Sequence, residues 1–373
     1  MPAAHGTQHA ALRPAIVAGQ QPAIGGGPLY TLVKCCQALA LARARQAQAV
    51  FWCASEDHDL GEADHADLIL PSGDLCRVRG DLGGGRASLR FRSAMAGWDA
   101  LIAACQEHFG RGLGADFLHA HAPRSGEALG AWQCRLLSAL LPDLHGIEAH
   151  TLRPAWAHLW PDIVARWPAA ELVHARAGIA DPPLPELPTP PVFRDAPDGR
   201  TPLTPTEILA TDPLLLSPGA ALRPVLQQAA LAATHVVLGP GERAYHALIG
   251  PLYAALQQPR PEIVPRTTVT LAPAVVARAC DRAGVDPAAI AAGEAWPPAP
   301  APDDPALAAL DAAIAGLADR ATRRLRRERD RIAATHARRL RGGGLAPGAA
   351  VAWLRPRAAP QDRTLSIFQA VWM

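Results

Sequence analysis

The chain is almost without lysine. Lys34 is the only lysine among 373 residues, and every other basic side chain apart from histidine is an arginine. Arginine carries a planar and permanent charge, whereas lysine carries a compact charge that can titrate. The two are therefore not interchangeable at a site whose geometry is fixed around the charge. Because Lys34 follows the glycine-rich segment 19–28, we take it as a candidate functional residue.

Charged residues are scarce as well, at 19% of the chain, and the net charge is +2. No global excess of either sign points to a nucleic-acid or membrane partner. The arginine-rich segment 323–331 has no interleaved aromatic residues, which stacking on bases would require. No apolar stretch reaches the ~18 residues of a membrane span without interruption by proline, glutamine or charge. We therefore expect neither nucleic acid nor a membrane as a partner.

Cysteine pairing motifs are also missing. The seven cysteines form an odd set without a Cys-x-x-Cys pair, which argues against a disulfide framework and against a structural zinc site. The first residues, MPAAHGTQHAALRP, lack a charged region followed by an apolar run, so they do not resemble a secretory signal. These absences predict a reduced, cytoplasmic protein.

A hydrophobic fraction of 49% permits a sizeable core. The apolar run 15–18 is predicted to be a buried strand, and after the loop the segment 29–46 shows the 3–4 spacing of an amphipathic helix. A second apolar run, 49–54, predicts a parallel strand, so the pattern is that of a βαβ unit. Ligands bind such units at the carboxyl ends of the strands. The loops 19–28 and 55–65 leave those ends, and we expect them to converge.

The rest of the chain divides at two proline-rich breaks. Further helices are predicted at 99–109, 127–141, 220–233 and 242–257, with a strand at 234–238. The segment 181–205 holds nine prolines and is interpreted as a linker or surface excursion without regular elements. We predict a core over 1–302 with connecting inserts, a coiled-coil arm over 303–341 that pairs in an antiparallel or dimeric way, and a tail over 342–373 that returns to the core.

The first candidate site is the glycine-rich loop with the start of its helix. Glycines permit a tight turn and a close approach to a ligand, and a helix N-terminus attracts anions. The pattern is neither GxGxxG nor GxxxxGK[ST], so a tight turn without a ligand is the alternative. The candidate binding residues are Gly19, Gln20, Gln21, Gly27, Tyr30 and Thr31, and Lys34 adds a cation.

The second candidate site is the acidic stretch 55–59, SEDHD, which follows the buried-looking residues FWCA. Carboxylates this close raise one another's pKa unless a cation or a donor compensates. Acid–base catalysis, metal ligation by Glu56, His58 and His65, or binding of a substrate ammonium or hydroxyls would each use such a set. A solvated acidic loop is the simpler alternative. The candidate residues are Ser55, Glu56, Asp57, His58, Asp59 and His65.

The third set consists of two arginines and a second loop. Arg223 and Arg266 are flanked by prolines, as anchored cations often are, although each alone is consistent with an ordinary surface arginine. Gly239, Glu242 and Tyr245 lie in the segment GPGERAYH, just after the predicted strand 234–238.

Together these segments resemble the bacillithiol-biosynthesis cysteine-adding enzymes. The resemblance lies in five motifs in the family's order: GQQPxxxGGPLYTxxK, FWxASEDHD with a following DH, SPxxxLRPxxQ, GPxExAY, and PR before TxTL. The tail residues PQDR are similar to the family's Gln-Glu-Arg. The resemblance spans residues 16–363. Members of the family are longer and begin with a helical segment, so this chain is interpreted as a shortened member.

The resemblance implies a Rossmann-like, nucleotidyltransferase-like α/β core with inserts and a helical arm that forms a homodimer. It implies an amide-forming ligase that joins L-cysteine to the amine of glucosaminyl-malate, an amino-sugar malate conjugate, as the last step towards a low-molecular-weight thiol. The cosubstrate that activates the carboxyl stays open, with ATP or another nucleotide as the candidate. A ligase or nucleotidyltransferase acting on another amine, and a non-catalytic binding homologue, are the alternatives.

That reaction suggests a role for each candidate. Asp57, His58 and Asp59 would hold the amine, with His58 or Asp57 as the general base, and Lys34 would strengthen an anion site in the glycine-rich loop. These four residues are the catalytic candidates, and no resident metal is expected.

The remaining candidates would bind the substrates. Arg223 and Arg266 would clamp carboxylates, bidentate where the geometry allows. Glu242 and Tyr245 would line the opposite wall of the site.

Overall fold

The computed structural model describes residues 14–296, 347–356 and 359–373. These residues divide into two compact units. The larger unit takes the described residues of Met1–Leu68, Arg77–Val269 and Leu365–Met373, and the smaller unit takes those of Ile69–Cys76 and Thr270–Thr364. All candidate site residues lie in the larger unit.

The described chain alternates between strands and helices. The strands are β1 (Ala15–Gln20), β2 (Gln48–Cys53), β3 (His65–Ile69), β4 (Leu75–Arg79), β5 (Leu144–Glu148), β6 (Val192–Ala196), β7 (Gly199–Pro202), β8 (Leu216–Pro218), β9 (Ala233–Leu238) and β10 (Glu262–Pro265). The α-helices are α1 (Leu29–Arg45), α2 (Leu60–Ala63), α3 (Trp98–Phe109), α4 (Ala115–Ala120), α5 (Leu129–Leu140), α6 (Arg153–Trp156), α7 (Trp160–Ala165), α8 (Ala169–Arg176), α9 (Pro205–Ala210), α10 (Arg223–Leu231), α11 (Pro240–Leu248), α12 (Gly250–Ala255), α13 (Ala274–Ala283), α14 (Pro287–Ala292), α15 (Pro347–Leu354) and α16 (Ile367–Trp372).

A five-stranded parallel sheet in the order β10-β9-β1-β2-β5 forms the centre of the larger unit. The α/β class and the predicted βαβ start are thereby confirmed. From β1 the chain adds β2 and β5 on one side, and it later adds β9 and β10 on the other. The strand order therefore reverses between β1 and β9, which is where open parallel sheets bind ligands.

Both faces of the sheet are buried, as the continuous apolar runs predict. Ile16 and Ala18 of β1 pack on one face with α1 and α5, and Ala15 and Val17 pack on the other face with the helices around Trp156. The sheet is thus held rigidly between two apolar layers, which fixes the positions of the loops at its carboxyl edge.

The entrance to α1 depends on three consecutive glycines. Gly25, Gly26 and Gly27 have φ of 66°, 78° and 80°, in the left-handed region that favours glycine. A Cβ on Gly25 would also approach the Cβ of Ala66 to 3.0 Å. The loop is therefore a tight turn whose backbone only glycine tolerates well.

Two predictions of secondary structure are wrong. The proline-rich segment 181–205 contains the hairpin β6–β7, which joins β8 in a three-stranded antiparallel sheet. Its prolines lie largely outside the paired positions, so they did not prevent strand pairing. The helix predicted over 242–257 is two helices, α11 and α12, which meet at Ile249 and Gly250 before Pro251.

The arm predicted over 303–341 lies outside the described residues and stays a prediction. Of the tail, α15 belongs to the smaller unit and residues 365–373 belong to the larger one. There the N–H of Leu29 donates to the carbonyl of Leu365 at 2.7 Å, and Ile367 is buried. None of the described helices combines the length and the apolar character needed to cross a bilayer. All seven cysteines are free thiols.

Candidate functional site

A cavity of about 370 Å³ opens at the carboxyl ends of β1 and β9, where the strand order reverses. It is lined by the exit of β1, the end of β2 with the loop that follows, Pro183, the residues around the start of α10, and the end of β9 with residues of α11. Seven candidate residues from the sequence line this one cavity: Gly19, Gln20, Gln21, Asp57, Arg223, Glu242 and Tyr245. The predicted convergence of the first two loops is confirmed, because Gln21 Nε2 donates to Glu62 Oε2 at 2.9 Å.

Lys34 lies behind the cavity wall rather than in it. Its side chain is 2% exposed, and its Nζ donates to Gly19 O at 2.9 Å, Gln20 Oε1 at 3.1 Å and Glu242 Oε1 at 2.7 Å. An ammonium has three N–H groups, so all of them are used. Burial lowers the pKa of Lys34, and the ion pair with Glu242 opposes that shift. The ammonium ties the end of β1 to the start of α11.

Glu242 completes this link. Its Oε2 accepts the backbone N–H of Gly239 at 2.7 Å, which satisfies a donor that the start of α11 would otherwise leave unpaired. The side chain is 38% exposed and lines the cavity. Glu242 therefore has two roles, since it caps α11 and presents a carboxylate edge to the cavity.

Asp57 is held ionised by Arg223. Arg223 Nη1 donates to Asp57 Oδ2 at 2.5 Å, and the backbone N–H of His58 donates to Oδ1 at 2.7 Å. Burial alone would raise the pKa of Asp57, but the charge and the hydrogen bond of Arg223 outweigh it and lower the pKa to about 2. Arg223 also donates to the carbonyls of Glu56 and Pro218, both at 3.2 Å. Its guanidinium is thus engaged within the protein.

His58 contacts an arginine that the sequence reasoning missed. Arg200 of β7 donates from Nη1 to His58 Nδ1 at 3.1 Å. Burial, then the charge of Arg200, lowers the pKa of His58. Arg200 lies in β7, just after the hairpin turn of the segment that was interpreted as a linker. The Asp-Gly pair at 198–199 is a hairpin signal, and it could have revealed this strand.

Glu56 is fully buried in a second charge cluster. Its Oε1 accepts Arg153 Nε at 2.6 Å, and Arg153 Nη2 donates to Asp195 Oδ2 at 2.7 Å. Burial raises the pKa of Glu56, although Arg153 and Arg223 oppose the shift. The triplet Leu-Arg-Pro occurs four times in the sequence, at 12–14, 152–154, 222–224 and 354–356, so it did not single out Arg153.

Three other residues of the acidic loop have structural partners. Ser55 is buried and its Oγ lies 3.0 Å from His150 Nδ1. Asp59 is exposed and caps α2 by accepting the N–H of Gly61 at 2.9 Å. His65 Nδ1 lies 2.9 Å from Asp64 Oδ1, in β3. Of the acidic-loop candidates, only Asp57 lines the cavity described above. The others, Ser55, Glu56, His58, Asp59 and His65, do not.

The remaining candidates surround the start of α1. Gln20 Nε2 donates to the hydroxyl of Tyr30 at 3.2 Å. The guanidinium of Arg266 lies 5.2 Å from the centre of the Tyr30 ring, which is a cation–π distance.

The last three candidates have separate surroundings. The buried hydroxyl of Thr31 has no hydrogen-bond partner among the described residues. The carbonyl of Gly27 accepts the N–H of Ile367 at 2.9 Å. Tyr245 donates its hydroxyl to the carbonyl of Ala220.

The metal alternative gains no geometric basis. Glu56 contacts Arg153, His58 contacts Arg200 and His65 contacts Asp64, so the three side chains have separate partners. Across residues 14–296, 347–356 and 359–373, no three metal-ligating side chains come together.

The comparisons with known proteins agree with the motifs. Residues 9–104 match the family described as Bacillithiol biosynthesis BshC, N-terminal Rossmann-like domain. The chain is 30% identical over 300 residues to the protein named "Putative cysteine ligase BshC" of Koribacter versatilis, covering 69% of this chain and 54% of that protein. It is 28% identical over 328 residues to the protein of the same name from Thermus thermophilus, covering 76% of this chain and 64% of that protein.

A third relative of that name, from Chlorobaculum tepidum, is 28% identical over 324 residues, which are 72% of this chain and 55% of that protein. The chain therefore matches between about half and two thirds of the length of these relatives. The resemblance deduced from the motifs is confirmed at the level of the family.

Proposed function

We propose that this chain, which belongs to the BshC family, is a cytoplasmic ligase that forms an amide bond between the carboxyl of L-cysteine and the amine of glucosaminyl-malate. The observation that carries the proposal is that residues of several motifs shared with the family line one cavity at the switch between β1 and β9. The names of the relatives supply the cysteine ligase assignment. A carboxylate does not react with an amine until it is activated, and we propose ATP or another nucleotide as the activating co-reactant.

The acidic wall of the cavity suits a substrate ammonium. Asp57 keeps its negative charge because its pKa is lowered to about 2. A carboxylate of such low basicity is a poor general base at neutral pH. We therefore propose that Asp57 and the exposed edge of Glu242 attract the ammonium and orient it, rather than remove its proton.

The buried cations have a supporting role in this proposal. All three N–H groups of Lys34, and one N–H from each nitrogen of the Arg223 guanidinium, donate to acceptors within the protein. They hold the exit of β1, the loop after β2 and the start of α11 in one arrangement, so that the substrate groups meet a preformed site. Arg266, beside Tyr30, is the cation we propose for a substrate carboxylate. A homodimer formed through the arm over 303–341 is part of the same proposal.

The direct test is an assay of the full chain with L-cysteine, glucosaminyl-malate, ATP and magnesium, followed by mass spectrometry of the product. The variant Asp57→Asn is expected to lower kcat/KM by about tenfold or more, because it removes charge without changing shape. Asp116→Asn is the matched control, since Asp116 pairs with Arg111 at the surface. Product formation by Asp57→Asn at the wild-type rate would contradict the site.

The alternatives separate in the same assay. A ligase for another amine would form an activated cysteine with ATP but would transfer it to a different acceptor. A binding homologue would release no nucleotide product with any amine. Mass spectrometry of thiols in source cells with and without the gene gives an independent answer, and an unchanged thiol profile would argue against the proposed reaction.

A further inference from the structure

Arg200 joins the three-stranded sheet to the acidic loop. It is 6% exposed, and its guanidinium lies 4.3 Å from the centre of the Phe193 ring. One terminal nitrogen, Nη2, donates to Ser217 Oγ at 3.0 Å and to Pro218 O at 3.2 Å. The other, Nη1, donates to His58 Nδ1 at 3.1 Å. Three contacts and the stacked ring therefore fix the guanidinium before any ligand binds.

This contact determines which nitrogen of His58 carries the proton. A guanidinium has only N–H donors and stays charged, so its partner nitrogen must offer a lone pair. Nδ1 is then the acceptor and Nε2 carries the hydrogen. The carboxylate of Asp57 does not compete for an Nδ1 proton, because its Oδ1 lies 3.8 Å from Nδ1, beyond hydrogen-bond distance.

The surrounding charges favour the neutral ring. Burial lowers the pKa of His58, and Arg200, Arg86 and Arg223 lower it further, while Asp57 acts in the opposite direction. A proton added at Nδ1 would face the guanidinium of Arg200 directly. These influences favour the neutral form of His58, with a donor at Nε2 and with the Nδ1 lone pair engaged by Arg200.

We propose that Arg200 is a positioning residue that holds His58 as the neutral Nε2–H tautomer, so that His58 presents a hydrogen-bond donor to an oxygen of the bound ligand. The ring is 33% exposed, and His58 directly follows Asp57, which lines the cavity. We assign the ligand oxygen to a carboxylate or carbonyl, because the proposed substrates carry carboxyl groups and the proposed reaction takes place at one of them. The contact between His58 and a ligand oxygen rests on the proposed function, whereas the tautomer does not. In this proposal His58 is a hydrogen-bond donor and not a general base.

The tautomer can be measured without a substrate. Protein labelled with ¹⁵N-histidine is studied by NMR through the ring nitrogen shifts, and His58→Gln assigns the signals. The wild-type protein is expected to show a protonated Nε2, with a titration midpoint below the ordinary value near 6.5. A protonated Nδ1, or an imidazolium at pH 7, would overturn the inference.

Variants of Arg200 then test the cause. Arg200→Met is expected to release the fixed tautomer and to raise the titration midpoint of His58. Arg200→Gln is the second variant should methionine prevent folding. It is expected to release the tautomer and to raise the midpoint, because the amide carries no charge and can accept a hydrogen bond as well as donate one. Arg194→Met is the control, since Arg194 is exposed on the neighbouring strand. An unchanged tautomer in folded Arg200 variants would overturn the assignment.

Activity distinguishes a donor from a base. The amide of Gln can supply an N–H near the position of Nε2 but cannot act as a base, so His58→Gln is expected to retain activity within about tenfold. His58→Phe supplies no N–H and is expected to lose about a hundredfold, which is the effect of removing one donor from an active site. Equal loss in both variants, with the wild-type tautomer found as expected, would overturn the donor role alone. If the wild-type chain forms no product, the proposed function fails, and the NMR result still decides the role of Arg200.

Discussion

The ammonium of Lys34 and the carboxylate of Glu242, 208 residues apart in sequence, lie 2.7 Å from each other at the base of the candidate site. The same ammonium donates to Gly19 and Gln20 at the end of β1. Because Glu242 also caps α11, this contact ties the end of β1 to the start of the helix that follows β9, at the place where the strand order reverses. It gives a physical reason for a lysine in a chain that otherwise uses arginine.

Lys34→Arg should therefore be damaging. Three acceptors surround a compact ammonium in a slot that is 2% exposed, and a longer planar fork would have to displace one of them. We expect the free energy of unfolding to fall by about 1–3 kcal/mol, as for other overpacked interiors. We also expect kcat/KM to fall by tenfold or more, because a small displacement of the β1 exit would misalign the groups that line the cavity.

Arg43→Lys is the matched control for that variant. Arg43 lies on the same helix, and its pair with Asp143 is exposed on both sides. Such a surface pair contributes little to stability. Urea unfolding and the ligase assay report the two effects, and Lys34→Arg behaving like Arg43→Lys in both would show that the lysine is not required.

Asp57 should contribute to stability in a defined pH window. Its pKa is lowered from about 3.8 to about 2 in the folded chain. A lowered pKa means that the stabilisation is present above pH 4 and is lost as the pH falls towards 2. The difference in unfolding free energy between the wild type and Asp57→Asn is expected to shrink by about 2 kcal/mol over this range. Urea unfolding at several pH values measures it, and a constant difference would contradict the ion pair with Arg223.

The glycines before α1 allow the cost of backbone strain to be measured separately from the cost of steric crowding. At Gly27 a Cβ would meet Ala23 at the ordinary contact distance of 3.6 Å, so Gly27→Ala tests the backbone alone. Its φ of 80° and ψ of −171° lie in a region that glycine almost alone occupies, and about 1–3 kcal/mol should be lost. Gly25, with φ of 66° and ψ of 18°, lies in the left-handed region that costs other residues about 1–2 kcal/mol, and Gly25→Ala adds a 3.0 Å contact with Ala66 to that cost. Gly84→Ala, with nothing within 4 Å of the new atom, is the neutral control. Equal thermal midpoints for Gly25→Ala and Gly84→Ala would contradict the geometry.

Local sequence patterns predicted the centre of the fold but not its charge network. The segments β1, α1 and β2 are close in sequence, and their apolar periodicity is strong, so they and the meeting of their loops could be predicted. The partners of the acidic loop come from far away: Arg153 lies 97 residues from Glu56 and Arg200 lies 142 residues from His58. No periodicity encodes such pairs, because tertiary packing creates them. Proline content also concealed the hairpin that carries Arg200.

Glu148, the last residue of β5, has no part in the proposed reaction, but it should make the stability of the chain depend on pH. Its side chain is 13% exposed, and its Oε1 has no hydrogen-bond partner among the described residues. Burial raises its pKa from about 4.5 to about 7, and the charge of Arg90 only partly opposes this. Folding therefore favours the protonated carboxyl.

Because the pKa of Glu148 is raised in the folded chain, stability should fall as the pH rises. A raised pKa means that the stabilisation is complete below pH 4.5 and is lost as the pH rises through 7, by about 3 kcal/mol in total. Glu148→Gln keeps the shape without a titrating group, so it should match the wild type at pH 4.5 and be more stable at pH 8. Neighbouring His150 is present in both proteins, so its own titration cancels in the difference. Glu107→Gln at the exposed surface is the control, and parallel urea-stability curves for the wild type and Glu148→Gln between pH 4.5 and 8 would show that Glu148 is charged in the folded chain.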